Sequence, residues 1–319
     1  MNKYTLILYL GVLGFSSCRQ TVTLMPEGLD PQHRVRLTNG VISATFRDNE
    51  ADGEKQWAGY NGIAGFTHVS QDSSVFHPLV SGFNLEHIFG GDSLEDVFEP
   101  RTAPMEIYRI SNQEVLLYQP PTPLSGMESQ TLFKMTEPHY IDITFRCIIH
   151  EKDFFKHGYV GLFWASYIDA PADRKIYFHG YEGDSDLLRW ISAYSTTHGL
   201  KSTHVGKNDR EIFYYASNLN QGMLFNDISD YRYDQPFYYG RFHNMVLAFM
   251  FHPEQGIRFS QSPSAGMEEA IYPAWDFHFV IPGFRVGRGY SFRARIMYKE
   301  FAGAGEVLEE YENWKSTLE

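Results

Sequence analysis

HYIDITFRCIIHEKDFFKHGYVGLFWASYI, residues 139–168, is the stretch on which the fold turns. In its first half Ile141, Ile143, Phe145, Cys147 and Ile149 alternate with Asp142, Thr144 and Arg146, and His150 follows. Successive side chains of a strand point to opposite faces, so this alternation predicts a central strand with one apolar face and one polar face. From Tyr159 to Ile168 the run is nearly continuous in apolar and aromatic residues, which predicts a strand covered on both faces or one end of a sandwich core. EKDFFKHG lies between them, polar, of hairpin length and closed by Gly158, so the two strands are expected to be joined as a hairpin. Arg146 and His150 make the polar face a candidate ligand surface, although the solvated side of any antiparallel sheet has the same pattern.

Outward from this stretch, strand signals recur in both directions. In RVRLTNGVISATF, residues 34–46, Asn39-Gly40 separates two alternating runs, the strongest short-range hairpin signal. The charged segment 47–62 is expected to be a loop, followed by strand-like runs at Ile63–Val69 and Val75–Phe89. PPTP at 120–123 must be an extended connection. Residues 183–210 are polar, and THGLKSTHVG within them, residues 197–206, is expected to be loop-like; the spacing of His198 and His204 there matches no metal pair. In YDQPFYYGRFHNMVLAFMFH, residues 233–252, Arg241 and His243 share a face if the strand is continuous, with Met245, Leu247, Phe249 and Phe251 on the same side in parity. Near the end Asp276 and His278 lie on one face, with Trp275, Phe277 and Phe279 on the other; a strand over Tyr290–Tyr298 follows. Val307, Tyr311, Trp314 and Leu318 then repeat with helical spacing. The expected class is all-β, a large antiparallel β-sandwich with a short C-terminal helix, and the strand order is left open between this and a jelly roll.

Composition agrees with a sheet protein, since Phe, Tyr and Trp make up 16% of the chain and there are 27 glycines. A net charge of −12 with no basic stripe argues against nucleic acid as a partner and suits a neutral polar ligand such as a sugar. Cys18 and Cys147 are the two cysteines, which leaves no disulfide framework and no cysteine metal site. No metal and no cofactor is expected; the acidic tract with Asp92, Glu95, Asp96 and Glu99 lacks the spacing of a calcium loop.

At the start, Lys3, an apolar run from Tyr4 to Phe15, and Ser16-Ser17-Cys18 resemble a bacterial lipoprotein signal, the alternative being a plain secretory peptide cut nearby. The run is shorter than the ~20 apolar residues of a spanning helix. The resemblance implies a signal peptide over 1–17, lipidation at Cys18, a tether over 18–32, one domain over 33–319, and a location in the cell envelope, anchored to a membrane outside the cytoplasm.

The hairpin NGVISATF, a loop ending in GYNGIAGF, a strand leading into GFNLEHIFGG and many further strands resemble, in segment order over residues 33–301, the galactose mutarotase-like β-supersandwich. That resemblance implies a sugar epimerase, polysaccharide lyase or glycan-binding domain, with its ligand on a concave sheet lined by histidine, arginine, aromatic and carboxylate side chains. The family's late glutamate base has no identifiable counterpart here. The catalytic candidates are therefore His87, His243, Asp276 and His278, because imidazoles titrate near neutrality and Asp-x-His can orient one. Arg101, Arg146 and Arg241 are candidates to hold a carboxylate or hydroxyls, and Trp164 and Trp275 to stack on a sugar face. A carbohydrate ligand is the expected partner, acted on by an epimerase, lyase or hydrolase, or simply bound.

Overall fold

The computed structural model describes residues 24, 28–92, 96–197, 199–210, 213, 227–253, 256–263 and 271–318. β1 (Arg34–Thr38), β2 (Ile42–Arg47) and β3 (Gly62–His68) form a small antiparallel sheet. The first half of a much larger sheet comprises β4 (Asn84–Phe89), β5 (Glu106–Arg109), β6 (Glu114–Gln119), β7 (Met127–Thr136), β8 (Tyr140–Ile149), β9 (Tyr159–Ala165) and β10 (Ile176–Glu182). To these are added β11 (Arg189–Ala193), β12 (Thr203–Gly206), β13 (Ile228–Tyr233), β14 (Phe237–Phe242), β15 (Met245–Phe251), β16 (Ile257–Ser262), β17 (Ala274–Pro282) and β18 (Gly289–Glu300). A one-turn α1 (Glu99–Thr102) and a longer α2 (Ala304–Ser316) complete the elements. The large sheet runs β4-β9-β17-β16-β12-β13-β10-β14-β15-β18-β8-β7-β6-β5, with β11 beside β10. The expected all-β, antiparallel architecture with a C-terminal helix is what forms.

The central position and face assignment of β8 hold: it lies between β7 and β18, with Phe145 fully buried and Arg146 exposed. The hairpin does not. β9 pairs with β4 and β17, and it meets β8 across the core, where Phe145 packs edge-on against Trp164 at 4.8 Å. Each strand has its apolar face turned toward the other, so face-to-face packing buries both, whereas a hairpin would have set them side by side. The connection carries Phe154 and Phe155, the latter buried against Phe284 at 5.1 Å, which closes the end of the core.

The core is built largely of aromatic contacts. Trp164 stacks on Phe277 at 5.0 Å, and the small sheet joins through Phe46 on Phe133 and Phe66 on Tyr298. Trp275 lies where a Cβ on Gly240 would come within 2.2 Å of its ring, so glycine is what lets the indole in. α2 covers the outer side of β14, β15 and β18 with Val307, Tyr311 and Trp314.

Two other expectations fail locally. His243 and Asn244 form a tight turn between β14 and β15, with Phe242 paired to Met245 and His243 at φ +54°. The turn resets parity, so Phe242 and Met245 both face the core while Arg241 is on the other side. The stretch 197–206 ends in β12, and His204 is a buried strand residue whose Nδ1 is 2.6 Å from Ser229 Oγ. Burial pushes that imidazole down to about 3, so it stays neutral.

Candidate functional site

Behind the core, on the other face of β4, β9, β17 and β16, a row of side chains crosses four strands. Arg258 is paired in register with His278, His278 with Phe163, and Phe163 with His87. The alternation of β17 puts Trp275 and Phe277 into the core and thereby leaves Asp276 and His278 on this face. β4 departs from simple alternation: its register against β9 shifts between Leu85 and His87, leaving Glu86 as the extra residue of a bulge. A bulge re-aims side chains, and here Glu86 Oε1 comes within 3.6 Å of His87 Nε2 although the two are adjacent in sequence.

Glu86 is buried and surrounded by donors. Arg101 Nη1 donates to Oε1 at 3.1 Å, and the Tyr167 hydroxyl and Asn84 Nδ2 donate to Oε2 at 2.6 and 3.3 Å. Burial alone would raise its pKa; His87, Arg101 and Tyr167 outweigh that and hold the carboxyl below the usual range. Arg101 is carried by α1, which Asn49 fixes by donating to Ala103 O at 2.7 Å and accepting from Met105 N. Its guanidinium lies 4.1 Å from the Tyr60 ring centre.

Asp276 goes the other way. Its Oδ1 accepts from Ser166 N at 3.0 Å, Oδ2 has no hydrogen-bond partner among the described residues, and burial, with the charge of Glu86, pushes its pKa well above the ordinary value. Asp276 thus shares a face with His278 without orienting it. His278 is completely buried, against Phe163 at 4.9 Å, and is held neutral by burial and then by Arg258 and His87. His87 is partly exposed, lies against Phe98 at 4.5 Å, and has an Nδ1 without a partner among the described residues.

Of the residues singled out from sequence, the fold brings together His87, Arg101, Asp276 and His278. The other candidates lie elsewhere. Trp164 and Trp275 are core residues, because their positions in β9 and β17 face inward, and cannot stack on a ligand. Arg146 is on the exposed outer side of β8, and His150, just past the end of that strand, is bound to Glu128 at 2.9 Å. Arg241 stacks on Phe301 at 3.7 Å, and His243 is an exposed turn residue. Cys18, Glu95 and His198 lie outside the described residues. Glu99 is buried and accepts from Thr122 Oγ1 and from Leu124 N, anchoring a loop. Sequence reading missed Glu86, Tyr167 and Arg258. Neighbouring residues of a regular strand point to opposite faces, and only the bulge, which alternation does not reveal, puts Glu86 beside His87.

Cavities flank the row, one of 860 Å³ at Arg101 and Phe98 and one of 560 Å³ at Arg258 and Phe213. With an ionised carboxylate, an imidazole, a guanidinium and a neutral carboxylic acid gathered on one face, the arrangement can take up and deliver protons.

No family model matches the chain, and no curated protein matches it in sequence. Among solved structures it is similar to a candidate aldose 1-epimerase from Escherichia coli K12, 8% identical, with a TM-score of 0.47 over 84% of this chain and 99% of that one. It is also similar to heparan sulfate lyase HepC from Pedobacter heparinus, 10% identical, with a TM-score of 0.42 over 85% of this chain and 35% of that one. Likeness at this level says nothing about activity.

Proposed function

We propose that the chain is a carbohydrate-active protein working outside the cytoplasm, anchored through Cys18, that moves protons on a sugar at Glu86, His87 and Arg101. The observation that carries this reading is the bulge in β4, which turns Glu86 and His87 to the same face, with Glu86 held by Arg101 and Tyr167 and His87 beside it. A local irregularity that gathers a carboxylate, an imidazole and a guanidinium is a feature of sites rather than of packing. His87, with one ring nitrogen toward Glu86 and the other without a partner among the described residues, is the group that takes or gives the proton. Arg101 holds hydroxyl or carboxylate oxygens of the sugar, while Asp276, completely buried and kept neutral, stays behind the site, and the Glu86–His87 pair both receives and returns the proton. Epimerisation, elimination and hydrolysis all need this pair of proton transfers.

The test is incubation of the mature protein with a glycan panel, reading product mass and deuterium uptake from heavy water, beside His87→Ala and Glu86→Gln variants. Turnover that falls at least a hundredfold in both variants, with melting temperature nearly unchanged in His87→Ala, supports the reading. Turnover unaffected by His87→Ala sinks it.

The second reading is a glycan-binding protein without chemistry, favoured by the complete burial of His278 and by the balance of Arg101 with Glu86. Binding that needs His87 without any product decides for it.

A further inference from the structure

Away from the row on β4, a group of metal-ligating side chains converges at the open end of the β1–β2 hairpin. Arg34 pairs with Arg47 in the last register step of these strands, so His33 and Asp48 stand opposite one another one step further on. The chain then turns back at Glu50, whose backbone N–H donates to Asp48 Oδ1 at 3.0 Å and leaves Oδ2 to face the imidazole. His33 Nδ1 is 2.9 Å from Asp48 Oδ2 and 3.2 Å from Glu50 Oε2, and the three donor atoms all lie within 4.8 Å of one another.

Hydrogen bonds alone leave this group short of a cation. Nδ1 carries at most one hydrogen and faces two carboxylates. The Asp48 side chain is only 3% exposed, yet among the described residues no lysine or arginine forms an ion pair with it; Arg34 and Arg47 reach Asp52 instead, at 3.3 and 2.6 Å. A carboxylate so buried is ordinarily paired or bound to a metal. Donors around a tetrahedral or octahedral ion with bonds of about 2.1 Å stand about 3.0–3.4 Å apart, which is close to the spacing His33 already has from both carboxylates. An imidazole with carboxylates suits zinc and its neighbours, whereas calcium and magnesium prefer oxygen alone. We propose that His33, Asp48 and Glu50 form a site for a divalent transition-metal ion, of which zinc is the type. The ion ties the entry of β1 to the exit of β2. Three protein ligands leave a coordination position open; His33 and Glu50 are exposed, and Glu50 also lines the 860 Å³ cavity beside Arg101.

Calorimetric titration of the full mature protein, stripped of metal by a chelator, with the chlorides of zinc, manganese, calcium and magnesium tests it, beside His33→Ala and Glu50→Gln. Both substituted side chains are exposed, so both variants are expected to melt near the parent without metal. The expected result is one zinc ion per chain, bound at least tenfold more tightly than calcium or magnesium. Zinc should raise the parent's melting temperature, and each variant should weaken its binding by roughly tenfold or more. His150→Ala, which removes an imidazole that pairs with Glu128 elsewhere on the molecule, should bind zinc as the parent does. Zinc that fails to bind, that binds equally in His33→Ala and Glu50→Gln, that is lost as fully in His150→Ala, or that binds more weakly than calcium overturns the site. No sugar enters the experiment, so its outcome stands apart from the carbohydrate reading.

Discussion

Glu86 and Asp276 are buried carboxyl groups whose surroundings drive them apart, and the pH dependence of stability should divide between them with opposite sign. Glu86 is held below the ordinary carboxylate range, so it contributes stability above that range, and the contribution is lost as pH falls and the carboxyl is protonated. Asp276 is raised, so its native form keeps a proton that the unfolded chain releases; stability from this group falls as pH rises from the ordinary aspartate pKa toward the native one. Asp276→Asn keeps the acceptor for Ser166 N and removes the titration. Melting temperature is therefore expected to rise in this variant at pH 7 and to approach the parent's below about pH 3, where the unfolded aspartate, with its ordinary value of 3.8, is largely protonated. A variant less stable than the parent at pH 7 contradicts the assignment. Glu86→Gln leaves Arg101 without its counter-charge and should cost about 1–3 kcal/mol by denaturant titration. At this scale His87, Asp276 and His278 were legible because a polar residue amid aromatics on a strand stands out. The tryptophans misled because an indole serves a core as readily as a sugar, and only parity relative to the buried face separates the two uses.

For single strands the alternation of side chains was a reliable guide. β8, β17 and β18 place on the core side the residues that their pattern assigns, and α2 buries Val307, Tyr311 and Trp314. Phe145→Ala should accordingly cost about 3–5 kcal/mol, while Thr144→Ala, on the half-exposed side, should stay within about 0.5 kcal/mol; comparable losses at both positions would refute the face assignment. Gly240→Ala drives a methyl into the Trp275 ring and is expected to cost about 1–3 kcal/mol. Reading failed where one element gives way to the next. The His243-Asn244 turn resets the phase between β14 and β15, and the bulge at Glu86 adds a residue to one strand only. Neither changes local hydrophobicity, so neither leaves a mark in a periodicity. The linker between β8 and β9 did leave one, in Phe154 and Phe155, which a surface hairpin would not need.

Over the whole molecule, the class of fold followed from the abundance of strand signals, but the strand order did not, because pairing partners are chosen by geometry after the faces are fixed. On the proposed anchoring, Cys18→Ala should release the protein from the membrane fraction with its melting temperature unchanged; a mutant that still sediments with membranes removes the anchor. The order β4-β9-β17-β16 has one more implication, and it concerns time. His87 comes from the first third of the chain and Arg258 and His278 from the last, so the row that joins them has no partial form: a chain still emerging, or cut short before β16, holds the first half of the centre with its second half missing. Contacts of such long sequence separation close slowly, and domains dominated by them refold in about milliseconds to seconds at the fastest. Recovery of ligand binding after dilution from denaturant should trail recovery of β-sheet circular dichroism, so that the protein acquires its shape in pieces and its competence only with the last strands to dock.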